Sequence, residues 1–335
     1  MDIQNRRYTG SKFKLIPWIK SLILDNCKTH DSLFDVFGGT GIVSASMLDV
    51  CQTIYINDFL YSNEIIYKAF FSKESYSKAI LDDYKNCFTS IDRTSLKDNY
   101  VSLNFGGKYF NYEDSKLIGY IREQIDFDFK SGKLSSHEFT ILLASLLYSL
   151  DRAANTVGHY EAYIKKTSPR SSFVFDLVVP ISSSCDVKIY RSDSNSLARR
   201  ISADIAFIDP PYNSRQYSRF YHVLETITKW DKPVLSGVAL KPPEENMSEY
   251  CRSKASLVFE DLVKNLNVKY LAVTYNNTYD SKSSSSHNKI SLEQIQNILM
   301  DIGKTSVFSK SYRRFNAGKT DASDHKEYLF ITKAK

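Results

Sequence analysis

Residues 204–213, with the sequence DIAFIDPPYN, constrain the fold more than any other stretch of this chain. The apolar residues before Asp209 have the composition of a buried strand. Pro210 and Pro211 end that strand, because proline lacks a backbone donor and restricts φ. An acid directly after a buried strand lies at the carboxyl edge of the sheet, where open α/β folds bind their ligands. The stretch therefore predicts an α/β protein whose site contains Asp209, the carbonyl of Pro210 and the ring of Tyr212.

A second stretch, LFDVFGGTG at 33–41, passes from an apolar run into three glycines. Glycines allow a sharp turn and let a ligand approach the backbone amides that follow. The next strand-like segment ends in Asp58, which is placed to accept hydrogen bonds from ribose hydroxyls. Ser44 occupies the third glycine position of the dinucleotide fingerprint, so S-adenosylmethionine, which has no pyrophosphate, fits better than NAD. Taken alone, the motif is equally compatible with ordinary turn glycines and a solvated aspartate.

Length and composition narrow the class of protein. The 335 residues suffice for one large α/β domain and a smaller module. A net charge of +6 permits a polyanionic partner without requiring one, and 13% aromatic residues suit base stacking. The five cysteines form no C-x-x-C pair and the histidines show no ligand spacing, so no disulfide framework and no metal are predicted. The absence of a signal sequence or membrane-length apolar run predicts a cytoplasmic protein without membrane contact.

Strand-like and helical segments alternate along much of the chain. Apolar spacing predicts an opening helix over 11–27 and further helices over 215–230 and 247–266. The last two strand-like segments, 306–316 and 325–333, resemble a terminal antiparallel pair. The expected fold is a Rossmann-like, doubly wound α/β sheet with an antiparallel hairpin at its end.

Residues 74–186 break this alternation and are mostly helical. Within them, Ser135 and Glu138 are spaced as a capping box before an apolar helix. We predict a catalytic domain composed of residues 1–73 and 187–335, interrupted by an inserted target-recognition region over 74–186.

The D-P-P-Y sequence suits chemistry on the exocyclic amine of a base. That amine is a poor nucleophile because its lone pair is delocalised into the ring. The carboxylate of Asp209 and the carbonyl of Pro210 would bond both amine hydrogens and stabilise the charge that develops on nitrogen. A base in a duplex must be flipped out to reach such a pocket, and Tyr212 is placed to stack on it. D-P-P without its neighbours is also compatible with a plain strand end.

Several motifs, in order, resemble those of DNA adenine-N6 methyltransferases of the Dam-like, class-alpha group, especially those of type IIS restriction-modification systems. RRYTGSKFKLIPWI (6–19) resembles the N-terminal motif of that group, DVFGGTG (35–41) its cofactor motif, and DPPYNSRQYSRFYHVLE (209–225) its methylation motif. Thr278 and Tyr279 depart from the group, in which Glu-Gly often follows the YNN sequence. Further similar segments, at 150–166, 273–277 and 325–330, extend the resemblance over most of the chain.

The resemblance implies roles for individual residues. Asp209 is implied to be both catalytic and close to the cofactor, with the catalytic set Asp209, Pro210, Pro211 and Tyr212. Binding of S-adenosylmethionine is predicted for Tyr8, Lys12, Phe37, Gly39, Gly41, Asp58 and Asp209. Asp193, which follows the third strand-like segment, is a further candidate, for the adenine amine of the cofactor, and a structural turn aspartate is its simpler interpretation. DNA contacts are predicted, with purely structural roles left open, for Arg215, Tyr217, Arg219, Asn155, His159, Tyr275 and Asn276.

The expected function is transfer of a methyl group from S-adenosylmethionine to N6 of a flipped adenine in double-stranded DNA, within a restriction-modification system. The expected partners are double-stranded DNA and a cognate restriction endonuclease or second methyltransferase, and the chain is expected to be a monomer. Two alternatives remain open at this point. One is methylation of cytosine N4 or of adenine in RNA, and the other is a catalytically silent DNA-binding subunit.

Overall fold

The computed structural model describes residues 1–165, 169–170, 172–211, 213–277, 289–311 and 326–335. The chain divides into two compact units. The helical unit comprises residues 1–10, 60–182 and 218–245, and the sheet unit comprises residues 11–59, 183–217 and 246–335. The assignment of 74–186 to target recognition concerns function, so it stays a prediction.

Seven strands of the described chain form one sheet in the sheet unit. They are β1 (Ser32–Asp35), β2 (Thr53–Asp58), β3 (Asp186–Arg191), β4 (Ser202–Ile208), β5 (Asn267–Asn276), β6 (Gly303–Ser311) and β7 (Lys326–Ala334). Their order is β3-β2-β1-β4-β5-β7-β6. The first five strands in that order pair in parallel, whereas β7 is antiparallel to both β5 and β6. The predicted α/β sheet with an antiparallel terminal pair is confirmed.

The strand order reverses between β1 and β4, which are direct neighbours. In open α/β sheets such a reversal leaves a crevice at the carboxyl ends of the two strands, where ligands bind. The glycine turn follows β1 and the D-P-P sequence follows β4. The topology therefore brings the two motifs of the sequence to one place.

The described helices, in chain order, are α1 (Ile16–Asn26), α2 (Ile42–Ser46), α3 (Tyr61–Phe71), α4 (Lys78–Ser90), α5 (Tyr100–Phe105), α6 (Tyr112–Lys130), α7 (Ser136–Ala153), α8 (Ser194–Ala198), α9 (Tyr217–Phe220), α10 (His222–Lys229), α11 (Ala255–Asn265) and α12 (Leu292–Ile302). The predicted opening helix begins as a short 3-10 turn at Phe13 and continues as α1. Pro17 lies in the first turn of α1, where no intrahelical bond is lost.

Two predicted helices are wrong in their extent. The helix expected over 215–230 is divided into α9 and α10 at Tyr221, whose φ of −111° and ψ of 24° are not helical. The carbonyl of Phe220 accepts a hydrogen bond from the backbone N–H of Tyr160 (2.7 Å) rather than continuing a helix. The helix expected over 247–266 begins only at Ala255, after a 3-10 turn. Long-range contacts here outweigh local helix propensity.

One apolar cluster of the sheet unit lies on one face of the sheet, where helices cover it. Phe34, Ala206 and Leu271 occupy neighbouring positions on β1, β4 and β5 and are fully buried. They belong to the same apolar cluster as Phe259 of α11 and Leu299 of α12. β4 is buried along most of its length on both faces, as its apolar sequence predicts.

The helical unit is built around α7, which is buried along most of its length. The predicted capping box is confirmed at its start. The Ser135 side chain accepts from the Glu138 N–H (3.2 Å), and the Glu138 carboxylate accepts from the Ser135 N–H (2.8 Å). This reciprocal pair satisfies two donors that a helix start leaves without intrahelical partners.

In the described part of the chain, no helix is both long and apolar enough to cross a membrane. The cysteine thiols are free, with Cys27, Cys51, Cys185 and Cys251 buried and Cys87 exposed.

Candidate active site

Asp209 stands at the centre of the carboxyl edge of the sheet, directly after β4. Ile208 pairs with Val273 in β5, so the next residue along each strand brings Asp209 beside Thr274. The hydroxyl of Thr274 donates to Oδ1 of Asp209 across 2.9 Å. Because Thr274 is fully buried and held in a strand, it provides a rigid donor for the carboxylate.

Lys12 reaches the same carboxylate from the segment that precedes α1. Its Nζ lies 2.9 Å from Oδ1 of Asp209 and 2.9 Å from Oε1 of Glu327. The Lys12 and Glu327 side chains are 5% and 4% exposed, and that of Asp209 is 18% exposed. A buried ammonium therefore lies between two carboxylates, one of which is the acid of the D-P-P sequence.

Among the described residues, Lys12 and Thr274 contact the Asp209 side chain, and both do so through Oδ1. Two donors from different elements restrain that oxygen. Oδ2 would then be the acceptor that a ligand meets. A carboxylate with one oxygen held by the protein suits a site in which the other oxygen must accept one hydrogen bond in a defined direction.

The glycine turn after β1 is held by three hydrogen bonds that its backbone N–H groups donate. The N–H of Gly38 donates to the carbonyl of Asn57 (2.7 Å), and that of Gly41 donates to the carbonyl of Gly38 (2.7 Å). The N–H of Gly39 donates to Oδ2 of Asp58 (2.9 Å). Gly39 and Gly41 have φ values of +53° and +75°, which favour glycine. Asp58 therefore supports the turn as well as lying at the end of β2.

Asp35 is a residue of this edge that sequence reasoning missed. It ends β1, is 1% exposed, and accepts a hydrogen bond from the Ser44 hydroxyl (2.7 Å). The pKa of Asp35 is raised to about 7, mainly by burial; the Ser44 bond lowers it, and the nearby Asp209 and Asp58 carboxylates raise it. In the sequence, Asp35 could have been recognised as an acid inside an apolar run directly before a glycine turn.

The other residues predicted to bind the cofactor lie at separate positions. Phe37 is half-buried and meets Tyr250 edge-on, with ring centroids 5.0 Å apart. Asp193 is exposed and caps α8 by accepting from the Ser196 N–H (2.8 Å). Tyr8 belongs to the helical unit. Its ring stacks on that of Tyr221 with centroids 4.8 Å apart.

Four predicted DNA contacts lie in the sheet unit. Tyr275 is fully buried, and its hydroxyl donates to the carbonyl of Ile290 (2.8 Å). Asn276 is also buried and stands opposite Glu327 in the β5–β7 pairing. Arg215 and Tyr217 are half-buried just beyond the D-P-P sequence. For Tyr275 the structure describes a packing role, and its DNA contact stays a prediction.

Three more lie in the helical unit. The Arg219 guanidinium donates to the carbonyl of Pro242 (2.6 Å). The Asn155 side chain donates to the carbonyls of Lys108 and Ile164, both at 3.0 Å, and so joins two loops. His159 stacks on Phe220, with centroids 4.5 Å apart. Tyr212, Thr278 and Tyr279 lie outside the described residues.

The described side chains include no group of three histidine, cysteine or acidic residues arranged to hold a metal ion. The carboxyl edge of the sheet unit instead carries Asp209 and Glu327, which share the Lys12 ammonium, and also Asp58 and the buried Asp35. The carboxylates at this edge favour a cationic ligand.

Comparison with known proteins identifies the family. A model of the D12 class N6 adenine-specific DNA methyltransferases matches residues 8–277, which is most of the chain. The chain belongs to this family. The matched span includes the glycine turn, Asp58 and the D-P-P sequence, and the predicted family, fold and enzyme class are confirmed. The roles of single residues stay predictions.

Three relatives have similar identities but different lengths. The modification methylase StsI of Streptococcus sanguinis is 31% identical over 329 residues, covering 93% of this chain and 49% of that protein. The type II methyltransferase M.FokI of Planomicrobium okeanokoites is 31% identical over 345 residues, covering 97% and 52%. The type II methyltransferase M.NlaIII of Neisseria lactamica is 31% identical over 342 residues, covering 97% and 98%. The chain thus spans about half of two relatives and nearly all of the third.

Proposed function

We propose that this chain transfers a methyl group from S-adenosylmethionine to N6 of a flipped adenine in double-stranded DNA. The observation that supports this most directly is the orientation of Asp209. Lys12 and Thr274 both hold Oδ1, and the carboxylate stands at the topological switch point between β1 and β4. A single strong acceptor is thereby presented where a ligand enters the fold.

The residues of this edge account for the activation of an aromatic amine. Oδ2 of Asp209 and the carbonyl of Pro210 would each accept one N6 hydrogen, which draws the nitrogen out of conjugation with the ring. Positive charge develops on N6 as it attacks, and the fixed carboxylate stabilises that charge more in the transition state than in the ground state. Asp209 contributes orientation and electrostatics without having to act as a strong base.

The glycine turn and its neighbours fit a cationic nucleoside cofactor. Gly39 and Gly41 place backbone close to the ligand without side chains, Asp58 offers ribose acceptors, and Phe37 offers an apolar wall. When bound, S-adenosylmethionine supplies an electrophilic methyl group on a sulfonium centre. The carboxylate of Asp209 favours that positive charge.

The resemblance assigns Tyr8 and Lys12 to the two ends of the cofactor, and we retain both as proposals. Lys12 already lies between Asp209 and Glu327. The positive charge of its ammonium would attract a cofactor carboxylate.

DNA binding is proposed for the residues around and beyond the D-P-P sequence. Tyr212 would stack on the flipped base, and Arg215 and Arg219 would contact phosphates. Residues 74–186 are proposed as the target-recognition region. Because the relatives include modification methylases and type II methyltransferases, we propose a restriction-modification role, with an endonuclease or second methyltransferase as partner.

A methylation assay on separate polymers tests this function. The chain is incubated with isotopically labelled S-adenosylmethionine and duplex DNA, single-stranded DNA or RNA, and the nucleosides are analysed by mass spectrometry. N6-methyladenine from duplex DNA is expected. N4-methylcytosine, or label in RNA alone, would support the alternative methyltransferases. DNA binding without cofactor binding would identify a silent DNA-binding subunit.

Sequencing of methylated positions in DNA from cells that express the chain would then reveal the recognition site. Base-specific readout depends on a few side chains and on DNA shape, which makes this measurement necessary.

A further inference from the structure

We propose that Glu327 is a positioning residue for methyl transfer, which acts through Lys12 on the carboxylate of Asp209. This inference rests on the proposed function. Glu327 never touches the reacting atoms in this scheme. Its role is to hold the Lys12 ammonium between two carboxylates, so that Asp209 keeps its orientation while retaining its strength as an acceptor.

The sheet topology explains how a residue near the end of the chain reaches this site. β7 is antiparallel to β5, so the first residues of β7 lie at the edge where the parallel strands end. Glu327 pairs with Asn276 near the end of β5, two residues beyond Thr274. The neighbouring pairing is reinforced because the N–H of Lys326 donates to Oδ1 of Asn277 (2.8 Å).

Burial of two charges is the second observation. Desolvation of a lysine and a glutamate to 5% and 4% exposure is costly, and a buried ion pair is a weak source of stability. Lys12 already has a carboxylate partner in Asp209, so the pairing of Lys12 does not require a second one. The backbone ladder between β5 and β7 provides the register, so the pairing of these two strands does not depend on the Glu327 carboxylate.

Glu327 affects the chemistry because it shares the positive charge of the Lys12 ammonium with Asp209. An ammonium bonded to Asp209 alone would neutralise that carboxylate more fully and weaken the hydrogen bond that Oδ2 accepts from the amine. The Glu327 carboxylate, 2.9 Å from Nζ of Lys12, offsets part of the ammonium's positive charge and so reduces its effect on Asp209. Asp209 is then oriented by Lys12 and Thr274 while it remains an effective acceptor.

The test is a double-mutant cycle between Glu327→Gln and Lys12→Met, measured as single-turnover methyl transfer to duplex DNA at saturating cofactor. Glu327→Gln should slow the chemical step about tenfold or more, because the transition state loses stabilisation that the ground state does not use. Cofactor affinity by calorimetry should change far less. In the Lys12→Met background, the same glutamine should have almost no further effect.

A fluorescent adenine analogue at the target position provides an independent readout of base flipping. Its signal should remain at the wild-type level in Glu327→Gln, because the variant alters an acceptor and not the binding of DNA. A loss of flipping equal to the loss of rate would show that Glu327 has a general structural role and would overturn the inference.

Asp204→Asn is the matched control. Asp204 lies near the other end of β4 and pairs with Lys269 of β5 at 2.7 Å, so this variant also weakens an ion pair between carboxylate and lysine in the same sheet. Its methyl-transfer rate should equal that of the wild type. Equal slowing in Asp204→Asn and Glu327→Gln would overturn the inference.

The outcomes separate this inference from the proposed function. Absence of adenine methylation by the wild type would refute the function itself. An active wild type with an equally active, folded Glu327→Gln variant, or additive effects in the cycle, would refute only the role of Glu327. If Glu327→Gln does not fold, Lys12→Met is compared with the double variant, which removes both buried charges. Equal rates are expected, and a slower double variant would overturn the inference.

Discussion

The hydroxyl of Thr274 and the carboxylate of Asp209 meet at 2.9 Å across the β4–β5 pairing. Neither residue is near the other in sequence, and the parallel register alone brings them together. Because Thr274 lies within a strand, its hydroxyl is held in place and restrains the carboxylate of Asp209.

Replacement of Thr274 by valine should slow methyl transfer by about tenfold, because a hydrogen bond to a charged group contributes about 1.5–3 kcal/mol. Thr274→Ser, which keeps the hydroxyl, serves as the control and should retain most of the rate. Single-turnover kinetics on duplex DNA provide the measurement. Equal rates for the two variants would show that Asp209 needs no orientation from β5.

Asp209→Ala should abolish detectable methyl transfer while the fold remains intact. The variant loses the acceptor for N6, and removal of one such electrostatic contact alone costs about 10²–10³ in rate. Lys12 keeps Glu327 as a partner, so no isolated buried charge is created. Circular dichroism and cofactor calorimetry check the fold, and residual turnover near the wild-type level would contradict the polarising role.

Asp35→Asn should change how stability depends on pH. Burial raises the pKa of Asp35 from 3.8 to about 7 in the folded protein. Between these values the native state holds a proton that the unfolded chain has released, so this group's contribution to stability is lost as pH rises from about 4 to about 7. Asparagine resembles the neutral acid and should remove that loss, which is at most about 4 kcal/mol.

Urea unfolding of wild type and Asp35→Asn at pH 5 and pH 8 measures this difference. Stability of the variant relative to the wild type should be greater at pH 8 than at pH 5. A difference that is constant with pH would mean that Asp35 is ionised throughout this range.

Asp58→Ala should weaken binding of S-adenosylmethionine by at least about tenfold, since it removes ribose acceptors and the support of the Gly39 N–H. Asp58→Asn keeps a side-chain acceptor for that N–H and should lose less affinity. Isothermal titration calorimetry distinguishes the two variants. Unchanged affinity in both would exclude Asp58 from the cofactor site.

Tyr275→Phe separates packing from DNA contact. The variant removes a buried hydroxyl that donates to the Ile290 carbonyl, so unfolding free energy should fall by about 1–3 kcal/mol. If Tyr275 serves only the core, methyl-transfer kinetics at a temperature where the protein is folded should match the wild type. A selective loss of rate without loss of stability would restore its predicted role at the flipped base.

Local sequence patterns predicted several elements well, because their causes are local. The two prolines after β4 and the turn glycines after β1 follow from restricted or permitted φ values. The Ser135–Glu138 capping box is a reciprocal bond three residues apart. The predicted helix over 215–230 failed at Tyr221, where the Phe220 carbonyl bonds to Tyr160 instead.

Sequence patterns alone predicted the strand before Asp209, the glycine turn with Asp58, and the family that these motifs resemble. The folded structure was needed to show that Lys12 and Thr274 contact the Asp209 carboxylate and that Glu327 contacts Lys12. These contacts depend on strand order and on the antiparallel entry of β7, which no local pattern encodes. The burial that raises the pKa of Asp35 has the same origin, because desolvation is a property of the assembled sheet.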